Sequence, residues 1–433
     1  MDGDVTSGDM YEDGQHTHVL EDDSGRLALN FELKRCRVDA RTIRNLVTGV
    51  VCAVRGSVQQ NTGILNVVEL SFAHTLSTTN LAQQQHFSKG PTQTHVLLVS
   101  GLECGNMDAK LSIQRDLLVD CITLLPDKAS VAHVIVAGGS TTYDAMKGYT
   151  YSDAAAVNSN NSNNNNAKNK NKIDSWKHRN NLMAENRKQK MLFPMQCLDE
   201  TFCTPLLSAG VPLTLVPSKS DPTNAQWPQQ PLHPSLMPYS SLYYKNLYRG
   251  TNPCQIQMNA SMLLGSDGAS VRDVLKQIRL KADKKKKTKV ASKDGGDDDA
   301  VVKRMREIDA LELSLQWGHL SPTAPDSMIS FPLMTTDSDA SDPLCLDLNN
   351  NEASKDISSS SSLENLVYFM GNCDSYESRL VSVSAGGDAE VGTAARNARL
   401  ICVPSFSKTS EVVLVDLESP TLESSVLKID FSV

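Results

Sequence analysis

Six short apolar runs limit what this chain can fold into more than any other feature. They are HVLLVSG (95–101), HVIVAGG (133–139), VPLTLVP (211–217), LVYFMGN (366–372), RLICVPSF (399–406) and EVVLVDL (411–417). None alternates with polar residues, so each needs cover on both faces, the condition of a strand inside a layered α/β core. Helical spacing near Ile113 to Leu125 lies between the first two runs and predicts a βαβ unit. The expected class is therefore α/β with a two-layer sandwich core. Functional groups of such cores gather where strands deliver the chain to their carboxyl edge, which points to the segment that follows 211–217.

The first 23 residues hold eight acidic side chains and no Lys or Arg, and residues 1–26 are expected to form a disordered acidic tail. Leu27, Leu29, Phe31 and Leu33 then alternate with Ala28, Asn30 and Glu32 in a strand period. Apolar runs at 46–58 and 64–72 are joined by Gln59-Gln-Asn-Thr-Gly63, which predicts a hairpin with Gly63 at positive φ. Three strands suggest a small barrel domain over 27–90, followed by a core over 91–433. Three insertions are expected to be disordered, near 152–175, 281–301 and 336–363. Nine of the fourteen residues 158–171 are Asn, 281–299 runs basic then acidic, and 338–362 contains five consecutive Ser. Lys284 to Lys287 reads either as a nuclear-import or nucleic-acid patch or as a solvated loop beside Asp297-Asp298-Asp299.

A net charge of −8 argues against a surface that grips nucleic acid by itself, so any contact with DNA is expected through a partner. Ten cysteines without a C-x-x-C pair, and no apolar run near the roughly 18 residues of a membrane span, suggest a reducing compartment and no membrane. Ser270 is a candidate N-cap for a helix carrying Val271, Val274, Leu275 and Ile278 on one face. The Gly-rich loop ahead of it lacks the Lys-Ser/Thr pair of a P-loop.

After 211–217 come Asp221-Pro222-Thr223-Asn224, Trp227 and Pro228-Gln229-Gln230-Pro231-Leu232-His233-Pro234. Further on stand Thr251-Asn252-Pro253, His319-Leu320-Ser321-Pro322-Thr323-Ala324-Pro325-Asp326, Asp342-Pro343 and Val367-Tyr-Phe-Met-Gly-Asn372. In this order and combination they resemble the small, B-type subunits of eukaryotic DNA polymerase delta. The resemblance covers about 27–433 outside the insertions. It implies a calcineurin-like phosphoesterase fold preceded by an OB-like β-barrel domain, which VTGVVCAVRGSV resembles in part. Family members carry a helical segment and more barrel residues upstream, so the barrel is expected to be incomplete at its amino end.

Active enzymes of that fold hold two cations on D-x-H, G-D-x-x-D, G-N-H-D and G-H-x-H loops, because an in-line displacement needs the ions about 3.5–4 Å apart. At the matching strand ends this chain has Ser100 and Leu102, then Gly139 and Thr142, then Ser218-Lys219-Ser220-Asp221, then Gly371-Asn372-Cys373-Asp374. Only Asp221 keeps a ligand type in place, and no metal or cofactor is expected. A set of His233, Asp221 and Asp374 is conceivable, but isolated groups in Pro-rich loops are more often hydrogen-bonded structural residues. His319, after Leu311, Leu313 and Leu315, is expected to be buried and hydrogen-bonded, with a catalytic base as the alternative.

The resemblance thus implies a nuclear, non-catalytic scaffold in DNA replication and repair. It would hold the C-terminal metal-binding domain of the polymerase catalytic subunit and bridge to a third accessory subunit, reaching the sliding clamp and DNA indirectly. Two alternatives stay open, the small subunit of polymerase alpha or epsilon and a divergent active metallophosphoesterase. Trp227, Leu232 and Leu236 in the Pro-restricted loop are candidate anchors for the partner, against an internally packed loop.

Overall fold

The computed structural model describes residues 18–22, 25–32, 35–78, 95–124, 131–142, 192–259, 261–289, 305–331, 344–346, 365–385 and 396–429, with the backbone alone at 78, 281–289 and 385. Its amino-terminal unit contains β1 (His18–Asp22), β2 (Gly25–Asn30), α1 (Ala40–Asn45), β3 (Ala53–Val58) and β4 (Leu65–Ser71), with the strands in the order β1-β2-β4-β3. β3 and β4 form the expected antiparallel hairpin, with Gly63 at φ +68°. Leu29, Leu65 and Val67 are buried at its centre, with Leu20, Leu27, Phe31 and Val54 around them. The alternation at 27–31 thus places its apolar side inward.

Two differences from the sequence expectation arise here. Structure begins by His18, inside the stretch 1–26 expected as a tail, because β1 finds a hydrogen-bonding partner along the whole of β2. The run 46–58 is strand only from Ala53, and Val47 packs instead into the helical core downstream.

Next come β5 (His74–Thr78), β6 (His95–Val99), α2 (Ala109–Leu124), β7 (Val131–Ala137), α3 (Thr204–Ser208), β8 (Leu213–Val216), β9 (Leu247–Arg249), β10 (Cys254–Met258) and β11 (Ser261–Ser266). They are followed by α4 (Ala269–Lys289), α5 (Glu307–Trp317), β12 (Asn365–Cys373), β13 (Glu377–Ala385), β14 (Arg396–Pro404), α6 (Phe406–Thr409), β15 (Glu411–Asp416) and β16 (Ser424–Lys428). Among the described residues they make two six-stranded sheets, β10-β11-β12-β14-β13-β5 and β16-β15-β6-β7-β8-β9. The first sheet is parallel at its centre and antiparallel at both margins, whereas the second is antiparallel at its β16-β15 side and parallel from β6 through to its β9 edge.

The sheets face each other across Val96, Leu98, Ile135 and Val413 on one side and Leu263, Val367, Phe369 and Ile401 on the other. α4 and α5 cover the outer face of the first sheet. α2 and α3 cover that of the second. The expected two-layer core is therefore a pair of sheets with a helical layer on each outer face, which is why all six apolar runs lack polar alternation.

Strand β5 pairs with β13, so His74–Thr78 belongs to a core sheet and not to the 27–90 unit. Ser270 lies inside α4; the Asp267 carboxylate accepts from the Ala269 N–H at 3.0 Å and supplies the cap. Backbone helix continues to Lys289, across Lys284 to Lys287 and into the insertion expected at 281–301. Within the insertion expected at 336–363, Leu344 and Leu346 are buried and Cys345 bridges His319, so residues 344–346 are part of the core. Residues 152–175 and the rest of these insertions lie outside the described residues, as does Asp342-Pro343.

His133 on β7 is buried, with Nε2 2.7 Å from Thr214 Oγ1 on β8. Burial lowers its pKa to about 4. The unfolded chain, at about 6.5, therefore binds the proton more readily between these values, so this stabilisation is present above pH 6.5 and is lost as pH falls towards 4. Wild type should lose on the order of 2–3 kcal/mol relative to His133→Gln between pH 7 and pH 4.5. Urea unfolding of both proteins at the two pH values checks this, and parallel behaviour would contradict it.

Candidate functional site

The loops at the carboxyl ends of β6, β7, β8, β12 and β14 meet in one place. Gly101 N–H donates to Gly138 O at 2.9 Å, Glu103 N–H to Gly139 O at 3.0 Å, and Phe406 N–H to Ser100 O at 2.8 Å. Gly101 and Gly139 have φ +64° and +67°, a region that glycine enters without strain. A Cβ on Gly139 would lie 2.8 Å from Gly101 Cα and 2.5 Å from Asn372 Oδ1, and one on Gly101 would lie 2.3 Å from Ser405 Oγ. Backbone and small polar side chains therefore fill the space between the loops.

The strand-end residues divide into those inside this junction and those outside it. Ser100 is fully buried; its Oγ donates to Pro404 O (3.0 Å) and accepts from Asn372 N–H (2.8 Å). Gly139 N–H donates to Ser218 Oγ (2.9 Å), which also lies 2.9 Å from Ser220 Oγ. Asn372 Nδ2 donates to Asp267 O at 3.2 Å. Leu102 instead points into the core under α2, and Thr142 and Lys219 are exposed. Asp374 is exposed at the rim and pairs with Lys408 (3.2 Å). His233 is also exposed, its Nδ1 2.6 Å from Ser235 Oγ. Among the described residues no three His, Cys, Asp or Glu side chains group closely enough to hold a metal ion.

Asp221 is the most connected of these residues. It accepts from Ser218 N–H (2.9 Å), Ser218 Oγ (2.9 Å), Thr141 N–H (2.9 Å) and Thr141 Oγ1 (3.1 Å). Burial raises its pKa to about 6, partly opposed by those four donors. Asp221→Ala would strand two buried N–H groups and should cost about 2–3 kcal/mol. A melting temperature equal to wild type would show that the loop repairs itself.

The motif segments brace one another. Gln229 N–H donates to Asn252 O (2.8 Å), and Asn252 Nδ2 donates to Gln229 Oε1 (2.7 Å) and Asp267 Oδ1 (2.9 Å). Asn224 Oδ1 accepts from Gln230 N–H (2.6 Å), and Thr223 Oγ1 donates to Gln230 O (2.6 Å). Thr323 Oγ1 donates to Asp273 on α4 (2.7 Å), and Thr251 Oγ1 to Pro253 O (2.6 Å). Pro322 and Thr323 are buried while Pro325 and Asp326 are exposed; Pro222 is half-buried. His319 is half-buried and its Nδ1 accepts from Ser321 N–H at 3.1 Å. Trp227 and Leu232, candidate anchors from sequence, are 3% and 1% exposed and already packed. Gln230, Pro231, His233, Pro234 and Thr251 remain on the surface.

Ser218, from the Ser218–Asp221 strand-end segment, and Asn252, from the Thr251-Asn252-Pro253 motif, take part in this junction. Asp267 and Ser405 complete it without having been singled out from sequence; they are ordinary residue types in ordinary loops, and most of their partners are remote in the chain.

The sequence around these loops matches a family model. Residues 96–347, more than half of the chain, match the B-subunit family of DNA polymerases alpha and epsilon. The chain belongs to this B-subunit family. Residues 4–70, a span that includes nearly all of the amino-terminal sheet, match the DNA polymerase delta subunit OB-fold domain. DNA polymerase delta subunit 2 of Drosophila melanogaster is 25% identical over 402 residues, 92% of this chain and 72% of the relative. The DNA polymerase delta small subunit of Arabidopsis thaliana is 27% identical over 93% of this chain and 70% of its own length. That of Saccharomyces cerevisiae is 24% identical over 97% and 71%. The matched span of the B-subunit family runs from β6 to Leu346 and so includes the braced motifs, while β12 to β16 lie beyond it.

Proposed function

We propose that this chain is a non-catalytic accessory subunit of DNA polymerase delta that acts by holding other subunits. The observation that carries the proposal is the joint match to the B-subunit family and to the delta OB-fold domain, supported by delta small subunits aligned over nearly the whole chain. These matches favour delta over the alpha and epsilon alternatives. In this proposal the core is a calcineurin-like phosphoesterase fold whose ligand positions have been replaced. The convergence of Ser100, Gly139, Asp221 and Asn372 at the strand ends supports it, as does the donor set, whose two buried carboxylates, Asp221 and Asp267, already accept hydrogen bonds from neighbouring amides and side chains. Hydrolysis by a divergent two-metal centre is disfavoured because Gly101, Gly139 and Asn372 fill the space the ions would need.

The finer assignments belong to the same proposal. The chain would hold the C-terminal metal-binding domain of the catalytic subunit, bridge to a third accessory subunit that contacts the sliding clamp, and act in the nucleus in replication and repair. Affinity capture of the tagged chain should recover the delta catalytic subunit in stoichiometric amount; recovery of the alpha or epsilon catalytic subunit instead would refute the delta assignment. Metal analysis of the purified chain should find less than about 0.1 equivalent of Mn or Zn, and about two equivalents would refute the filled-site proposal.

A further inference from the structure

Beside the braced motifs lies a surface that none of the foregoing uses. An open cleft of about 440 Å³ is lined by Pro231, Leu232, His233, Pro234, Leu247, Tyr248 and Arg249. Its floor is β9, the last strand of its sheet among the described residues. Four of the chain's ten tyrosines fall within 239–248. Of the large side chains there, Leu242 is 76% exposed, Tyr244 72%, Tyr248 55% and Tyr239 53%. Apolar side chains displayed so densely on a folded surface mark an interaction site.

The surface is also rigid. The buried Asp199 carboxylate accepts from the Tyr239 N–H (2.9 Å) and the Ser240 N–H (2.8 Å), and Pro231, Pro234 and Pro238 fix φ along the same stretch. A partner would therefore meet a surface already ordered, with little entropy left to lose.

Charge narrows the occupant. No acidic residue lines the cleft, and the Arg249 Nη1 atom is out of water without a hydrogen-bond acceptor. A cation so placed is stabilised when an anion arrives nearby.

We propose that this cleft receives an extended segment of the polymerase catalytic subunit, with a carboxylate beside Arg249 and apolar side chains on Leu242, Tyr244 and Tyr248. An edge strand next to an apolar cleft suits an extended peptide, whose backbone can pair with β9 while alternate side chains fill the cleft. The inference rests on the accessory-subunit proposal above.

Full-length chain and the polymerase delta catalytic subunit should be titrated, comparing wild type with Arg249→Glu and with the double variant Leu242→Ser/Tyr244→Ser. The expected result is at least tenfold weaker binding for each variant, with the isolated chains melting as wild type does. If Arg249→Glu fails to fold, the double variant at its exposed positions decides. Wild-type binding with both variants within twofold of it overturns this inference and leaves the accessory assignment standing. Failure of wild type to bind overturns both. Variants that lose self-association, and not polymerase binding, would give the surface to a second copy of this chain and also overturn it.

Discussion

Replacing Gly371 with alanine collapses the core. Gly371 lies on β12 close against the opposite sheet, and a Cβ there would stand 1.9 Å from the Ala137 carbonyl oxygen and 3.0 Å from both Ala137 C and Cβ, on β7. The obstacle is backbone in a central strand, so no rotamer change relieves it. Separating the sheets would also pull on the bond from the Asn372 N–H to Ser100 Oγ at the end of β6, which crosses between them. The expected cost exceeds about 4 kcal/mol, beyond ordinary overpacking. Gly210→Ala is the control: nothing lies within 4 Å of its Cβ, but φ is +83°. It should cost only about 1 kcal/mol, the penalty of a left-handed alanine. Urea midpoints of the two variants check this pair; equal losses would show that the sheets yield to the methyl group.

Trp227→Ala should unfold the isolated chain before it affects any partner. Trp227 N–H donates to Ile329 O at 2.9 Å and its carbonyl accepts from Phe331 N–H at 2.9 Å, tying the loop after β8 to the segment that follows His319. Its indole is buried, and removing a buried aromatic of this size costs about 3–5 kcal/mol. The exposed neighbours Pro231 and His233 should tolerate alanine within about 0.5 kcal/mol. Thermal melting of the three variants, each without partner, makes the comparison. A folded Trp227→Ala chain that fails to assemble would restore the loop's role as an anchor.

The core strands were legible because burial on both faces leaves a plain mark on sequence: the runs at 95–101, 133–139 and 211–217 became β6, β7 and β8. The hairpin at Gly63 was legible for the same kind of local reason, a turn residue between two apolar runs. What remained hidden depends on contacts remote in the chain. β1 needs the facing edge of β2, and β5 needs β13, so neither could be placed by its own residues. Leu344 and Leu346 were hidden in a polar stretch because only their backbone bonds to Leu320 and Gly318, on either side of the His319–Cys345 bridge, dock them into the core. At the site, the strand-end positions could be found in the chain, but not which of them meet. Ser100 and Asn372 turn inward while Lys219 and Asp374 face solvent. Of the two readings of Trp227, partner anchor or internally packed loop, its burial favours the second, a choice that residue type alone does not make. The aromatic cluster at 239–248 was visible as composition, yet its exposure follows from the Asp199 clamp that holds it at the edge of the sheet.

The account rests most heavily on the claim that this chain serves a polymerase by binding it and performs no chemistry of its own. Light scattering of the purified chain mixed with the DNA polymerase delta catalytic subunit tests that directly. The account predicts a single species with the summed mass of one copy of each. Two separate species at the highest concentrations measured would contradict it.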